Sequence, residues 1–233
     1  MGKIITALFV SLCLLPITYS DAQTHAGRVD KNGGHKDKNT GEYHCHNEPC
    51  FTIHKQSSDA VDEAIEEGRE VVLLYNRHDW KHWSDFDKDC MNTRHEILND
   101  QAVKGSQKYS PDGCYVSRGE WHDPFSGKVI TRASDLDVDH VIPLKWAHTH
   151  GGATWSAEKK EQFANDPDNL LAVDDGLNQQ KGAKGPTEWM PPNHGYRCDY
   201  LRHWQSVLAK YSSLKMTAKE NRIYQKQLKA CKI

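Results

Sequence analysis

Asp135-Leu136-Asp137-Val138-Asp139-His140-Val141-Ile142-Pro143 alternates acidic and apolar residues and stops against a proline. Alternation of period two is the pattern of a half-buried β-strand. This strand delivers a carboxylate and an imidazole side by side at its end. Neighbours in an ideal strand point to opposite faces, so Asp139 and His140 meet at one site only where the strand ends or bulges. Pro143 and the loop behind it put such an ending nearby.

Downstream, Asn169-Leu170-Leu171-Ala172-Val173 reads as a second short strand. Between the two, Trp155 to Asn165 forms a helix capped by Ser156 and broken by Asp166-Pro167-Asp168. A further helix runs from about Asp175 to Lys181, carries Asn178, and ends at Gly182 or Gly185. The C-terminal segment reads as two helices. Leu201, Trp204, Leu208 and Tyr211 stripe the first, and Thr217 with Glu220 offers a capping box to the second.

Upstream, Ser58 caps a short helix through Ala60, Val61, Ala64 and Ile65 that stops at Gly68, and Val71–Tyr75 reads as a strand. Trp80, Trp83 and Phe86 punctuate an acidic segment. They read as core or docking residues, because no basic residues interleave them in the manner of a single-strand binder. Asn92 or Thr93 opens a helix through Ile97 and Leu98. Cys114-Tyr115-Val116, Glu120-Trp121 and Val129-Ile130-Thr131 look like short antiparallel strands. His148 and His150 fall in a loop. The fold class is α+β, with flanking helices and a C-terminal helical hairpin.

With 233 residues, 37% hydrophobic and 9% aromatic, the chain can bury one good core and a small accessory module. A net charge of −2 argues against a general nucleic-acid binder. The distribution differs: nine basic against two acidic residues follow from Arg197 to the end. That segment either faces a polyanion or is an ordinary solvated helix surface.

Met1-Gly2-Lys3, an apolar run from Ile4 to Leu15 and small residues at Thr18, Ser20 and Ala22 fit a signal peptide over residues 1–22, and the run is too short to span a membrane. Removing it leaves six cysteines, and an even number in an exported chain implies disulfides. Sequence order favours Cys90 with Cys114 and Cys198 with Cys231, leaving Cys45 with Cys50. The expected location is secreted or periplasmic.

Residues 23–56 are rich in glycine and histidine and have no periodic apolar face. His25, His35, His44 and His46 with the two cysteines could hold zinc; a disulfide-pinned attachment is the other reading, since oxidised cysteines are not thiolate ligands. The main domain is expected over residues 57–195, with its centre at about 135–185, and the basic hairpin over residues 196–233.

Asp137-x-Asp139-His140-x-x-Pro143, then Asp168-Asn169-x-x-Ala172-Val173, then Asn178-x-x-Lys181 resembles the HNH endonuclease family with its ββα-metal motif. Cys90 with Asn92-Thr93-Arg94, Phe163-Ala164-Asn165-Asp166 and Pro186-Thr187-Glu188-Trp189 resemble a branch of exported bacterial HNH nucleases, a similarity running from Trp80 to Cys231. Tyr43-His44-Cys45-His46 resembles the end of short modules near the N-terminus of exported bacterial proteins.

The family resemblance implies His140 as general base, Asp139 as metal ligand and Asn169 as the residue holding the loop that bears the base. Asn178 stands where the last His would be, an HNN variant and a second ligand. A carboxylate with an amide oxygen suits magnesium, with manganese able to substitute. Arg94, Lys145, Lys181 and Lys184 are offered as phosphate contacts, against the plainer readings of an internal ion pair for Arg94 and solvated lysines. The implied activity is hydrolysis of DNA with low sequence preference, RNA left open, by a monomer free of the membrane. The competing expectation is an exported metal- or wall-binding protein that acts through residues 23–56, with the nuclease fold inert.

Overall fold

The computed structural model describes Val29, Lys31, residues 33–36, residues 43–45, Asn47, Cys50 and residues 73–233. The chain divides into two compact units, Met1–Glu63 and Ala64–Ile233. In the first, β1 (Gly34–Lys36) and β2 (Tyr43–Cys45) pair antiparallel, with His35 opposite His44. Cys50 is buried and disulfide-bonded. The expected signal peptide, the helix from Ser58 to Gly68 and the side chains of His25, His35, His44, His46 and Cys45 lie outside the described residues.

In the second unit, Asn92 caps α1 (Thr93–Gln101) by accepting from the His95 amide. A three-stranded antiparallel sheet follows: β3 (Lys108–Tyr109), β4 (Val116–His122) and β5 (Val129–Arg132). The sequence suggested two strands flanking Arg118-Gly119; the structure has one, with its register to β5 shifted between Arg118 and Trp121. The indole of Trp121 folds back over Gly119, where a Cβ would stand 2.7 Å from the ring. Glycine is therefore required at that irregularity.

The quoted stretch forms β6 (Leu136–His140), which pairs antiparallel with β7 (Leu170–Asp174) in unbroken register from Leu136 opposite Asp174 to His140 opposite Leu170. Between them lie α2 (Leu144–Ala147) and α3 (Ala157–Ala164), the latter capped by Ser156. Then come α4 (Asp175–Lys181), closed by Gly182 at positive φ, and the helical pair α5 (Arg197–Lys210) and α6 (Ala218–Ala230). Thr217 and Glu220 complete the capping box of α6.

Alternation along β6 turns its apolar side chains onto one face and Asp137 and Asp139 onto the other. Leu136 and Val138, with Leu170 and Ala172 of β7, pack against Ile97, Leu98 and Trp121. Val141, Ile142 and Val173 belong to the larger core with Trp80, Trp146, Phe163 and Trp204. Among the three aromatics of the acidic segment, Trp80 is fully buried and Phe86 is 63% exposed. The α5–α6 pair contributes Tyr200, Leu201, Trp204, Tyr224 and Leu228 to the larger core.

Two readings need correction. Leu73–Tyr75 belong to no strand, and Leu74 is 82% exposed; Val71 and Val72 lie outside the described residues. His148 is not in an open loop but extends the helical turn of α2, whereas His150 leaves helical dihedrals (φ −116°, ψ 25°) at a kink, as a loop residue does. The aromatic neighbours explain it: the His150 ring stacks on Trp146 at 3.7 Å, and His148 is buried against Trp80.

Both bridges favoured by sequence order are formed. Cys90–Cys114 ties the loop before α1 to the start of β4, and Cys198–Cys231 joins the first turn of α5 to the end of α6. Closing loops with sequence separations of 24 and 33 residues restricts the unfolded chain by about 3–4 kcal/mol each. Among the described residues no helix is long and apolar enough to cross a membrane.

Candidate active site

Asp139 lies on the face of β6 that α4 covers. Its carboxylate is 4% exposed, and Lys181, 0% exposed, donates to its Oδ1 at 2.8 Å and to the main-chain carbonyl of His140 at 2.8 Å. Burial pushes the Asp139 carboxyl up and the Lys181 ammonium down, each opposed by the attraction of the other. Lys181 was expected to contact phosphate. With no exposed surface, its ammonium serves Asp139 and the end of the strand instead. Asp139 Oδ2 is buried and meets no donor among the described residues.

One turn earlier on α4, the Asn178 amide donates to Asp137 Oδ2 at 3.1 Å. Asp137 Oδ1 faces Arg94 at 3.8 Å, and Arg94 also donates to the Leu136 carbonyl at 2.8 Å. Arg94 therefore forms the internal pair that was its plainer reading, and burial lowers its pKa despite Asp137. The structure brings Asn178 to Asp137 and Lys181 to Asp139 along one face.

His140 points the other way. Because β6 stays paired through His140, the bulge that would bring it beside Asp139 does not occur. Its Nε2 meets the Ala164 carbonyl at 2.8 Å. A carbonyl only accepts, so the neutral ring carries its proton on Nε2 and keeps its lone pair on Nδ1. The ring is 6% exposed, 5.6 Å from Trp83 and 6.5 Å from His82. Burial, then the charge of Arg77, hold its pKa well below the ordinary imidazole value.

Asn169 fixes the chain just beyond the imidazole. Fully buried, it accepts from the Ile142 amide at 2.8 Å and donates to the Ile142 carbonyl at 3.2 Å, while its own carbonyl accepts from Val141. Lys145 is exposed on α2, its ammonium 5.8 Å from the Tyr75 ring. Lys184 is exposed and donates to the Gln180 carbonyl. Neither is shown against the His140 or Asp139 side chains.

Residues 91–226 match the family described as "GmrSD restriction endonucleases, C-terminal domain". The chain belongs to this family. A protein of Arthroderma benhamiae described as an "uncharacterized secreted protein" is 37% identical over 159 residues, covering 67% of this chain and 76% of its own length. That relative is fungal, where the motif resemblance pointed to a bacterial branch. No solved structure matches.

The region matched to the endonuclease family contains Asp139, His140, Asn169, Asn178 and Lys181, so its characteristic domain carries both faces of the hairpin. Cys90 and Cys231 lie just outside it, fastening its two ends. Also outside is the segment that walls off His140. Arg77, His82 and Trp83 were not singled out as functional from the sequence. Burial and then Arg77 lower the His82 pKa to about 4, and His82 bonds the Trp80 carbonyl through Nδ1 at 3.0 Å. Trp83 adopts φ 62°, a costly conformation for a bulky residue and one that clusters at functional sites.

This wall is stitched to the turn that anchors His140. Asn165 accepts from the Ser84 amide at 2.8 Å and donates to the Lys81 carbonyl at 2.9 Å. Arg77 is exposed and pairs with no carboxylate among the described residues. The available signal was the lone arginine in Asn76-Arg77-His78-Asp79, which only the fold connects to His140. The acidic residues beyond serve the loop itself: Asp85 accepts from the Lys88 and Cys90 amides, and Asp89 from Met91. They hold Cys90 at φ 78° opposite Cys114.

Proposed function

We propose that the chain is an exported, divalent-metal-dependent HNH-type endonuclease in the HNN form, which hydrolyses DNA phosphodiester bonds with little sequence preference. The observation that carries this reading is the state of His140: an anchored neutral imidazole with its lone pair on Nδ1, at the end of a strand whose previous residue is a buried carboxylate with an unused oxygen. Both features lie within the region matched to the endonuclease family.

The residues fit a hard cation. A buried carboxylate oxygen with no donor is costly unless something positive reaches it, and Asp139 Oδ2 is such an atom. Asp139 and Asn178 would hold the ion through oxygen, a donor set that favours magnesium and admits manganese. Once bound, the ion would supply positive charge to the phosphate and to the departing 3′ oxygen.

The protein's own residues do the rest. His140 Nδ1 takes a proton from a water in line with the scissile bond, and the hydrogen bond to Ala164 keeps the ring's other nitrogen protonated and its plane fixed. Asn169 holds the backbone of Val141 and Ile142, so the imidazole cannot swing with the following loop. Because Asp139 and His140 face opposite ways, the phosphodiester lies across the end of β6. Arg77 presents an unpaired guanidinium on the imidazole side for a phosphate oxygen. The products carry 5′-phosphate and 3′-hydroxyl ends.

Export is supported by the two bridges and by the secreted relative. The deciding experiment is nicking of supercoiled DNA, with linear DNA and RNA in parallel, in magnesium, manganese or EDTA. His140→Ala should lower the rate by about 10²–10⁴-fold. Nicking at the wild-type rate by a folded His140→Ala protein rejects the assignment.

A further inference from the structure

Lys181 reaches Asp139 from the buried side of α4. It holds one carboxylate oxygen at 2.8 Å and leaves the other without a donor. Its ammonium cannot readily swing clear, because the side chain is fully buried and its second bond goes to the His140 carbonyl at 2.8 Å. Withdrawing it would leave a buried charge, a carboxylate oxygen and a main-chain carbonyl all unsatisfied.

Asp139 is thereby restricted in the way it can bind a cation. A carboxylate spans a metal through both oxygens only when both are free. Calcium, with about six to eight oxygen ligands in flexible geometry, readily takes carboxylates in that manner. Magnesium and manganese accept single oxygens in octahedral arrangements. An adjacent ammonium also weakens the binding of every divalent ion, so selectivity has to come from coordination geometry more than from raw affinity.

We propose that Lys181 determines metal selectivity: by occupying one oxygen of Asp139, it enforces single-oxygen coordination and discriminates against calcium in favour of magnesium and manganese. This rests on the reading that Asp139 is a metal ligand. It gives Lys181 a role toward the metal through Asp139 and removes it from the substrate contacts.

The test is direct binding to the full chain: calorimetry with magnesium, manganese and calcium, and spin-resonance titration with manganese, on wild type, Lys181→Met, Lys181→Gln and Asp139→Asn. In Lys181→Met the preference for magnesium over calcium should fall at least tenfold. In Lys181→Gln, where the amide offers a donor in place of the ammonium, the preference should stay within about threefold of wild type. Wild-type crystals soaked in calcium should show Asp139 bound through one oxygen with Lys181 in place.

An unchanged preference in folded Lys181→Met overturns the proposal. So does two-oxygen coordination by Asp139 in the wild-type calcium complex, which decides the matter if Lys181→Met fails to fold. Manganese binding by Asp139→Asn equal to wild type would instead reject the metal assignment itself. Loss of binding there, with no change of preference in Lys181→Met, would reject only the selectivity.

Discussion

The two faces of the β6–β7 hairpin solve different problems. On the α4 face, Asp137 and Asp139 are held by charged or amide groups from Arg94, Asn178 and Lys181. On the other, His140 is held by a neutral main-chain carbonyl and walled by Trp83 and His82. The Asp139–Lys181 charges on the first face are buried and paired, so function and stability are coupled there. The second face keeps its imidazole neutral at the cost of one hydrogen bond, so function there separates from stability.

That contrast can be broken by comparing two alanine variants. His140→Ala should lose the most activity and cost about 2 kcal/mol of stability, from the space its buried ring leaves and the Ala164 carbonyl left without its donor. Asp139→Ala should lose activity too, but also destabilise the fold by roughly 3–5 kcal/mol, because Lys181 is left as a buried unpaired charge. Urea unfolding of the two proteins checks this, and equal stability losses would dissolve the distinction. Asn169→Ala falls between them. Losing both bonds to Ile142 should cost about 2–3 kcal/mol, with activity falling as the backbone after His140 loosens.

Arg77→Ala sharpens the second face alone. Stability should stay within about 0.5 kcal/mol of wild type, since the side chain is exposed and unpaired. The rate on DNA should fall roughly 10- to 100-fold, and the slope of log affinity against log salt should drop by about one phosphate contact. An unaltered salt slope removes Arg77 from the substrate path.

How much of this could be read in the sequence follows the range of the interactions. The β6 and β7 strands, α4 and the capping box on α6 were legible because period, caps and glycines act locally. Both favoured disulfides were legible because their loops are short enough for order along the chain to guide pairing. The opposite facing of Asp139 and His140 followed from the strand's period, but whether a bulge would cancel it depended on pairing with Leu170 and Leu171. Lys181 looked like a surface lysine because nothing in Asn178-x-x-Lys181 reveals that its ammonium points inward. Arg77 and His82 stand some sixty residues before His140, and tertiary contacts such as the Trp80 anchor and the Asn165 bonds bring their segment to it.

The smallest expected effect concerns the hairpin that braces the site from behind. Glu220 receives the Thr217 amide and hydroxyl, and His150, stacked on Trp146, faces it at 3.1 Å. Burial alone would raise its pKa, but the Thr217 bonds and His150 outweigh burial and hold it below the ordinary value of 4.5. A depressed carboxylate favours the folded state above its unfolded pKa, and that contribution fades as pH falls through the folded value. Wild type should therefore exceed Glu220→Gln in melting temperature near neutrality, and the two curves should converge in acid below the ordinary carboxylate range. The gap should be small, since the α6 end of this contact is a surface cap. Curves that stay parallel down to the lowest pH at which the protein folds would show that the Glu220 charge does not fasten α6 to the turn after α2.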